Sequence, residues 1–170
     1  MKPFYESNTP LWTIDMFAAL HDSGVRGATF YTTAIGVAPQ HSDNEWYRKH
    51  LENDRERVSR KFQRAVDEGW CMREERLDLE QFCATQLAGD APTSAAILLV
   101  CSNTLKGYPV AAARYAGHYV FLVGYDAHAR AVLYLDPSLE SSEPQRASLA
   151  ALTAAVEVPG TDHDIIVITR

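Results

Sequence analysis

The sequence predicts an α+β protein of a single domain, residues 1–170, with helices packed on a mostly antiparallel sheet. Helix-like periodicity concentrates in the first half of the chain, and β-branched or aromatic runs concentrate in the second. Two of the later runs are separated by only a short polar linker, as in an antiparallel hairpin. This ordering points away from a doubly wound parallel sheet. A chain of 170 residues can bury a real core in one domain.

Asn8-Thr9-Pro10 reads as a helix start, with Thr9 as N-cap and Pro10 in the first turn. Leu11, Ile14, Phe17, Ala18 and His21 then share one stripe, and Gly24 closes the helix. Residues 28–37 (ATFYTTAIGV) form a strand. A long charged helix is expected from Asn44 to Glu68, burying Trp46, Leu51, Val58, Phe62, Ala65 and Val66 and stopping at Gly69. Its acids Glu52, Asp54 and Glu56 alternate with basic residues and read as a solvated face.

Residues 78–87 (DLEQFCATQL) predict a short amphipathic helix capped by Asp78. A strand follows at 95–101, then an irregular insertion at 102–114. Strands at 117–125 and 131–135 make the hairpin. A helix at 148–156 and a strand at 164–169 complete the chain.

Composition excludes several classes of function. With 22 acidic against 16 Lys and Arg residues, the net charge is -6, which argues against nucleic acid or an anionic membrane as main partner. The longest apolar run, 95–101, is too short to span a bilayer, and MKPFYESNTP lacks the pattern of a signal peptide. Three widely spaced cysteines, Cys71, Cys83 and Cys101, suggest a reducing compartment, with the cytoplasm as default. Free cysteines of this kind usually behave as small core hydrophobes. No Cys/His spacing predicts a metal, and no cofactor motif is present. His163 with Asp162 and Asp164 reads as a loop into the last strand, because adjacent side chains on an extended segment diverge. His21, His41, His50 and His128 have no evident partner, and Trp46 and Tyr47 read as packing residues.

The candidate site lies in residues 115–138, YAGHYVFLVGYDAHARAVLYLDPS. His118 starts one hairpin strand and Asp136 follows the end of the other, so antiparallel pairing brings them to one edge of the sheet. A carboxylate there can fix the imidazole tautomer and stabilise its protonated form, the orienting role in a triad. A structural pair that only fixes the hairpin edge is the bland alternative.

GHYVFLVGYD followed by VLYLDP resembles the histidine and aspartate motifs of bacteriocin-leader, papain-like cysteine peptidases. More widely, LWTIDMFAALHDSGVR, FYTTAIGV, WYRKHLENDRERVSRKFQRA and GTDHDIIVI are similar to segments of the guanylyl cyclase domain-containing family. The resemblance implies a papain-like fold with His118 and Asp136 in the catalytic positions. It also implies a Trp-Asp-Cys-Gly segment ahead of the LWTID helix. The ten residues before Leu11 hold no cysteine and no glutamine to serve as oxyanion donor. Without a thiolate there is no covalent catalysis to expect.

Two classes of function follow. One is an enzyme, either a thiol hydrolase lacking its nucleophile or, as the family name implies, a cyclase making cyclic GMP from GTP. The other is a binding module, taking a protein or peptide in an open groove beside His118 or self-associating through it. For a cyclase, Asp136, Asp162, Asp164 and Arg114 are the available ligands, but no phosphate-loop motif selects them.

Overall fold

A computed structural model describes residues 10–37, 51–108 and 115–169, with side chains 51–53 excepted. Its elements are α1 (Thr13–Asp22), β1 (Ala28–Thr32), α2 (Leu51–Asp67), β2 (Met72–Glu74), α3 (Leu79–Phe82) running into a π-helical turn (Cys83–Leu87), β3 (Ser94–Cys101), α4 (Ser102–Leu105), β4 (Gly117–Asp126), β5 (Ala131–Leu135), β6 (Gln145–Ser148), α5 (Leu149–Val156) and β7 (Ile165–Thr169). The sheet has seven strands in the order β2-β1-β7-β3-β4-β5-β6, with only β1 and β2 parallel. The α+β class with a mostly antiparallel sheet is therefore as the sequence predicts.

Alternation along the strands builds two cores, one per face. On one face Leu98, Val100, Val120, Leu122 and Ile165 pack with Phe82, Leu87, Leu152 and Val156. On the other, Phe30 and Ile166 meet Ile14, Phe17, Val58, Phe62 and Trp70. The two faces correspond to α3 and α5 on one side and α1 and α2 on the other.

Helix α1 starts later than the sequence suggests. Trp12, not Thr9, is its N-cap, and Pro10 precedes the helix. Asp15 takes over the capping work: its Oδ2 accepts from the Trp12 amide at 2.9 Å while the Asp15 amide donates to the Trp12 carbonyl at 2.8 Å. Asp15 also receives Lys61 Nζ at 2.5 Å and the Arg57 guanidinium. Arg57 reaches on to Asp54, which accepts the Trp12 indole N–H at 3.0 Å.

Asp54 is thus buried rather than part of a solvated face. Conversely Val66, expected inside, is 59% exposed. Glu52 has no described side chain, and Trp46, Tyr47, His41, His50, Arg114 and the N-terminal Thr9 lie outside the described residues.

Strand β1 ends at Thr32, short of the expected Val37. Gly36 lies just beyond at φ +90°, a left-handed conformation that no strand accommodates. Three short elements escaped the sequence reading: β2, β6 and the single turn α4 inside the expected irregular insertion. The expected helix 78–87 is capped by Asp78 as read, but its second half widens into the π turn.

Gly27, just ahead of β1, shows how closely β1 and β7 are held. A Cβ there would lie 2.6 Å from the Thr169 carbonyl oxygen, whose own amide donates to Gly27 O at 2.8 Å. Gly27→Ala must move backbone to fit, and we expect a loss of about 1–3 kcal/mol. Urea unfolding measures it, and a variant within about 0.5 kcal/mol of wild type would show the strand end to be pliant.

Candidate functional site

The β4–β5 hairpin positions the site. Phe121 pairs with Leu135 and Leu122 with Tyr134, after which a bulge at Val123 shifts the register to Gly124–Leu133. Continued beyond Leu135, this register sets Asp136 opposite Val120, so His118 is its diagonal neighbour on the same face. The pairing is realised: His118 Nε2 and Asp136 Oδ1 are 2.7 Å apart. Both side chains are mostly buried, with exposures of 24% and 11%.

One carboxylate oxygen carries the whole arrangement. Asp136 Oδ1 also accepts the Ser138 amide at 2.9 Å and the Ser138 hydroxyl at 2.7 Å. Burial raises the Asp136 carboxyl, but Ser138 and His118 outweigh it and leave it below the usual carboxylate range. Asp136 is therefore an ionised acceptor at neutral pH. Tyr134's own burial pushes its phenol upward, with the Asp136 charge adding to that effect. Ser138 was not anticipated, although Asp-Pro-Ser after a strand is a recognisable Asx-turn signal.

Because Asp136 holds Nε2, the imidazole turns Nδ1 away, and Nδ1 has no hydrogen bond among the described residues. That nitrogen is the one available to accept a proton. The chain just ahead of His118 is tightly packed. A Cβ on Gly117 would sit 2.6 Å from the Tyr115 hydroxyl, and that hydroxyl donates to Gly160 O at 2.8 Å.

No cysteine meets this nitrogen. Cys83 lies in the π turn within the α3–α5 core, its thiol pushed up to about 12 by burial. Cys101 pairs with Gly117, one position out of step with His118, so its side chain leaves the opposite face of the sheet. Burial raises the Cys101 thiol, yet amides of Thr104, Ala116 and Asn103 and the Thr104 hydroxyl outweigh it and lower the thiol overall. Cys71 is exposed between β1 and β2, where Thr29 Oγ1 donates to its Sγ at 3.4 Å. Four strands separate that edge from β5.

Two depressions flank the sheet. An apolar groove of about 420 Å³ runs between Met16 of α1 and the hairpin, lined by Tyr119, Phe121, Leu135, Asp136 and Leu139. It reaches the pair through Asp136. A larger pocket of about 610 Å³ lies on the α5 face and includes Arg76, Arg130, Glu80, Glu157, Ser148 and His163. Burial and the nearby Arg76 charge lower the His163 imidazole. His21 stacks on Trp70 at 4.2 Å between ring centroids, while His128 is an exposed turn residue.

Among the described residues no three His, Cys, Asp or Glu side chains converge on a common metal position. No helix there is long and apolar enough to cross a membrane.

Comparison with known proteins places these features in a family. The chain is 28% identical over 172 residues to Guanylyl cyclase 1 of Arabidopsis thaliana, covering 95% of this chain. It spans 61% of that relative's length. Residues 4–168 match the family model described as guanylylate cyclase, and the chain belongs to that family.

Proposed function

We propose that the chain carries the base-and-orienter half of a thiol site on a papain-like scaffold, with His118 as base and Asp136 as orienter. One observation carries this reading: the 2.7 Å His118 Nε2–Asp136 Oδ1 bond, which leaves Nδ1 without a bond among the described residues. The acid is ionised and anchored by Ser138, as an orienter must be. These 170 residues contain no cysteine placed to use that base, so they act by binding rather than by covalent turnover.

The ligand is a peptide or protein segment seated in the apolar groove beside Asp136, and self-association is the other way to cover it. Leu139, 46% exposed, is the projecting apolar residue of its rim.

A peptidyl thiol electrophile tests the catalytic half. We expect no labelling of Cys71, Cys83 or Cys101 that His118→Ala abolishes, and no peptide turnover. His118-dependent labelling of any of the three overturns the reading. The binding half is tested with a hydrophobic dye: wild type should bind it, and Leu139→Asp should reduce binding several-fold. Light scattering on the same samples separates a ligand groove from a dimer interface.

The relative's name supports a second reading, formation of cyclic GMP from GTP. Its structural support is the pocket on the α5 face, where Arg76 and Arg130 could meet the triphosphate. Arg130 is already paired with Glu80 at 2.8 Å, and among the described residues no cage of carboxylates stands ready for a divalent ion. In this reading the metal enters with the nucleotide. Cyclic GMP produced by wild type and lost in Arg76→Ala would replace the first reading.

A further inference from the structure

One cross-strand row runs across five strands on the α1 face of the sheet. Phe30 of β1 pairs with Ile166 of β7, and Ile166 with Ile97 of β3. Ile97 then pairs with Phe121 of β4, and Phe121 with Leu135 of β5. Residues directly opposite each other on neighbouring strands share a face, so these five side chains lie on one side. The row changes character along its length. Phe30 and Ile166 are fully buried in the core beneath α1 and α2, whereas Ile97, Phe121 and Leu135 are only partly buried. Beyond α1 the apolar groove of about 420 Å³ opens over them, with Met16 and Leu139 also lining it.

The rim of this groove is acidic. Asp136, Leu139, Ser141 and Ser142 line it, and Glu140 and Glu143 sit among them in the loop from β5 to β6. Both glutamates are exposed, and neither carboxylate has a hydrogen bond or ion pair among the described residues. The cation nearest to them in sequence, Arg146, is committed to Asp126. Asp136 adds a third negative charge. Its Oδ1 takes the bonds from His118 and Ser138, while Oδ2 takes none among the described residues. An ionised carboxylate oxygen of this kind is a strong acceptor for a cationic N–H.

Building on the reading of this groove as a peptide site, we infer that its ligand is an extended segment whose apolar side chains are flanked by lysine or arginine. The apolar side chains cover Ile97, Phe121 and Leu135, and the flanking cations meet Glu140, Glu143 and the second Asp136 oxygen. The groove lies near the low end of small-ligand sites, which run from roughly 300 to 1,000 Å³, so it takes a few side chains and not a folded domain. The net charge of -6 also favours the approach of a cationic segment.

A second copy of this chain fits less well. A two-fold contact sets a patch against itself, so Asp136, Glu140 and Glu143 would face the same three acids. Like charges juxtaposed across an interface are costly, and an anionic segment is disfavoured for the same reason.

Titration calorimetry tests this with capped peptides that share a leucine-phenylalanine-leucine centre and differ only in flanks of lysine, glutamine or glutamate. At about 50 mM salt we expect the lysine peptide to bind about tenfold more tightly than the glutamine peptide, and the glutamate peptide to bind most weakly. Raising the salt to about 500 mM should remove most of that preference while the glutamine peptide still binds. The double variant Glu140→Gln, Glu143→Gln should cut the lysine-to-glutamine ratio several-fold, and Phe121→Ala should weaken all three peptides. Glu75→Gln, just past β2 at the far edge of the sheet, should keep the wild-type ratio. Equal binding of the three peptides overturns the charge assignment and leaves the groove a peptide site. No binding of any peptide overturns both. A ratio unchanged in the double variant overturns the assignment as well. So does a dimer seen by light scattering that excess lysine peptide fails to dissociate, because the second copy is then the occupant. Circular dichroism on each variant confirms that changes in binding come from folded protein.

Discussion

Asp15→Ala is expected to destabilise the protein by about 2–4 kcal/mol, the range for breaking a buried ion pair when the remaining cations are partly solvated. Three losses combine in that number. The Trp12 amide loses its capping acceptor, worth about 1 kcal/mol. Lys61 and Arg57 lose a shared carboxylate that is nearly buried, with 7% side-chain exposure. Trp12 also loses the hold on its backbone while its indole stays tied to Asp54 in α2. Arg57 keeps Asp54 as a partner and Lys61 is 36% exposed, which sets the estimate below the full cost of an orphaned buried charge.

Urea unfolding of wild type, Asp15→Ala, Arg57→Met and the double variant measures the coupling. A coupling energy above about 1 kcal/mol is expected for a pair in direct contact. A double variant whose losses simply add would show that Asp15 acts without Arg57, through the cap and Lys61. The prediction bears on function because α1 supplies Met16 to the groove.

Most of what positions the His118–Asp136 pair was legible because it depends on local rules. A hairpin with a short linker dictates which strand ends meet, and alternation dictates which side chains share a face. Both acted on His118 and Asp136 as expected, even across an unforeseen bulge at Val123. Ser138 escaped because a turn hydroxyl announces no direction until the strand has ended. Asp54 was misread for a different reason. Its charge and its neighbours describe a solvated helix, and only the tertiary arrival of Trp12 and Arg57 makes burial tolerable.

Val66 is the converse: it falls near the apolar stripe, yet α2 turns it to solvent because Val58, Phe62 and Ala65 already fill the contact with α1 and β1. Short elements such as β2 and β6 carry too few residues for periodicity to register. They are strands because longer neighbours offer them hydrogen bonds. Likewise the left-handed backbone at Asp162 and His163 has no compositional mark beyond polar residues in a loop.

Asp164→Asn is expected to raise stability near pH 8 by a few kcal/mol while leaving it nearly unchanged near pH 4. The sign follows from where the proton sits. Burial holds the folded Asp164 carboxyl at about 8, against about 3.8 when unfolded. Below the unfolded value both states are protonated and the residue costs nothing by ionisation. Between the two values the unfolded chain releases a proton that the folded chain retains. Stability therefore falls as pH rises, by at most about 1.4 kcal/mol per unit for one group. Above about 8 the folded carboxyl ionises as well and the loss levels off.

The full window would amount to roughly 6 kcal/mol, and partial exposure of the residue reduces this to a few. Other carboxylates work in the opposite direction. Asp22, Asp126 and Asp136 sit below their usual values and contribute stability that is lost as pH falls. They are common to both proteins, so the difference between variant and wild type isolates Asp164. Urea unfolding at half-unit steps from pH 4 to 9 gives that difference directly. It should widen steadily through neutral pH and then flatten. A difference that stays constant across the range would place Asp164 in a solvated, ordinary environment.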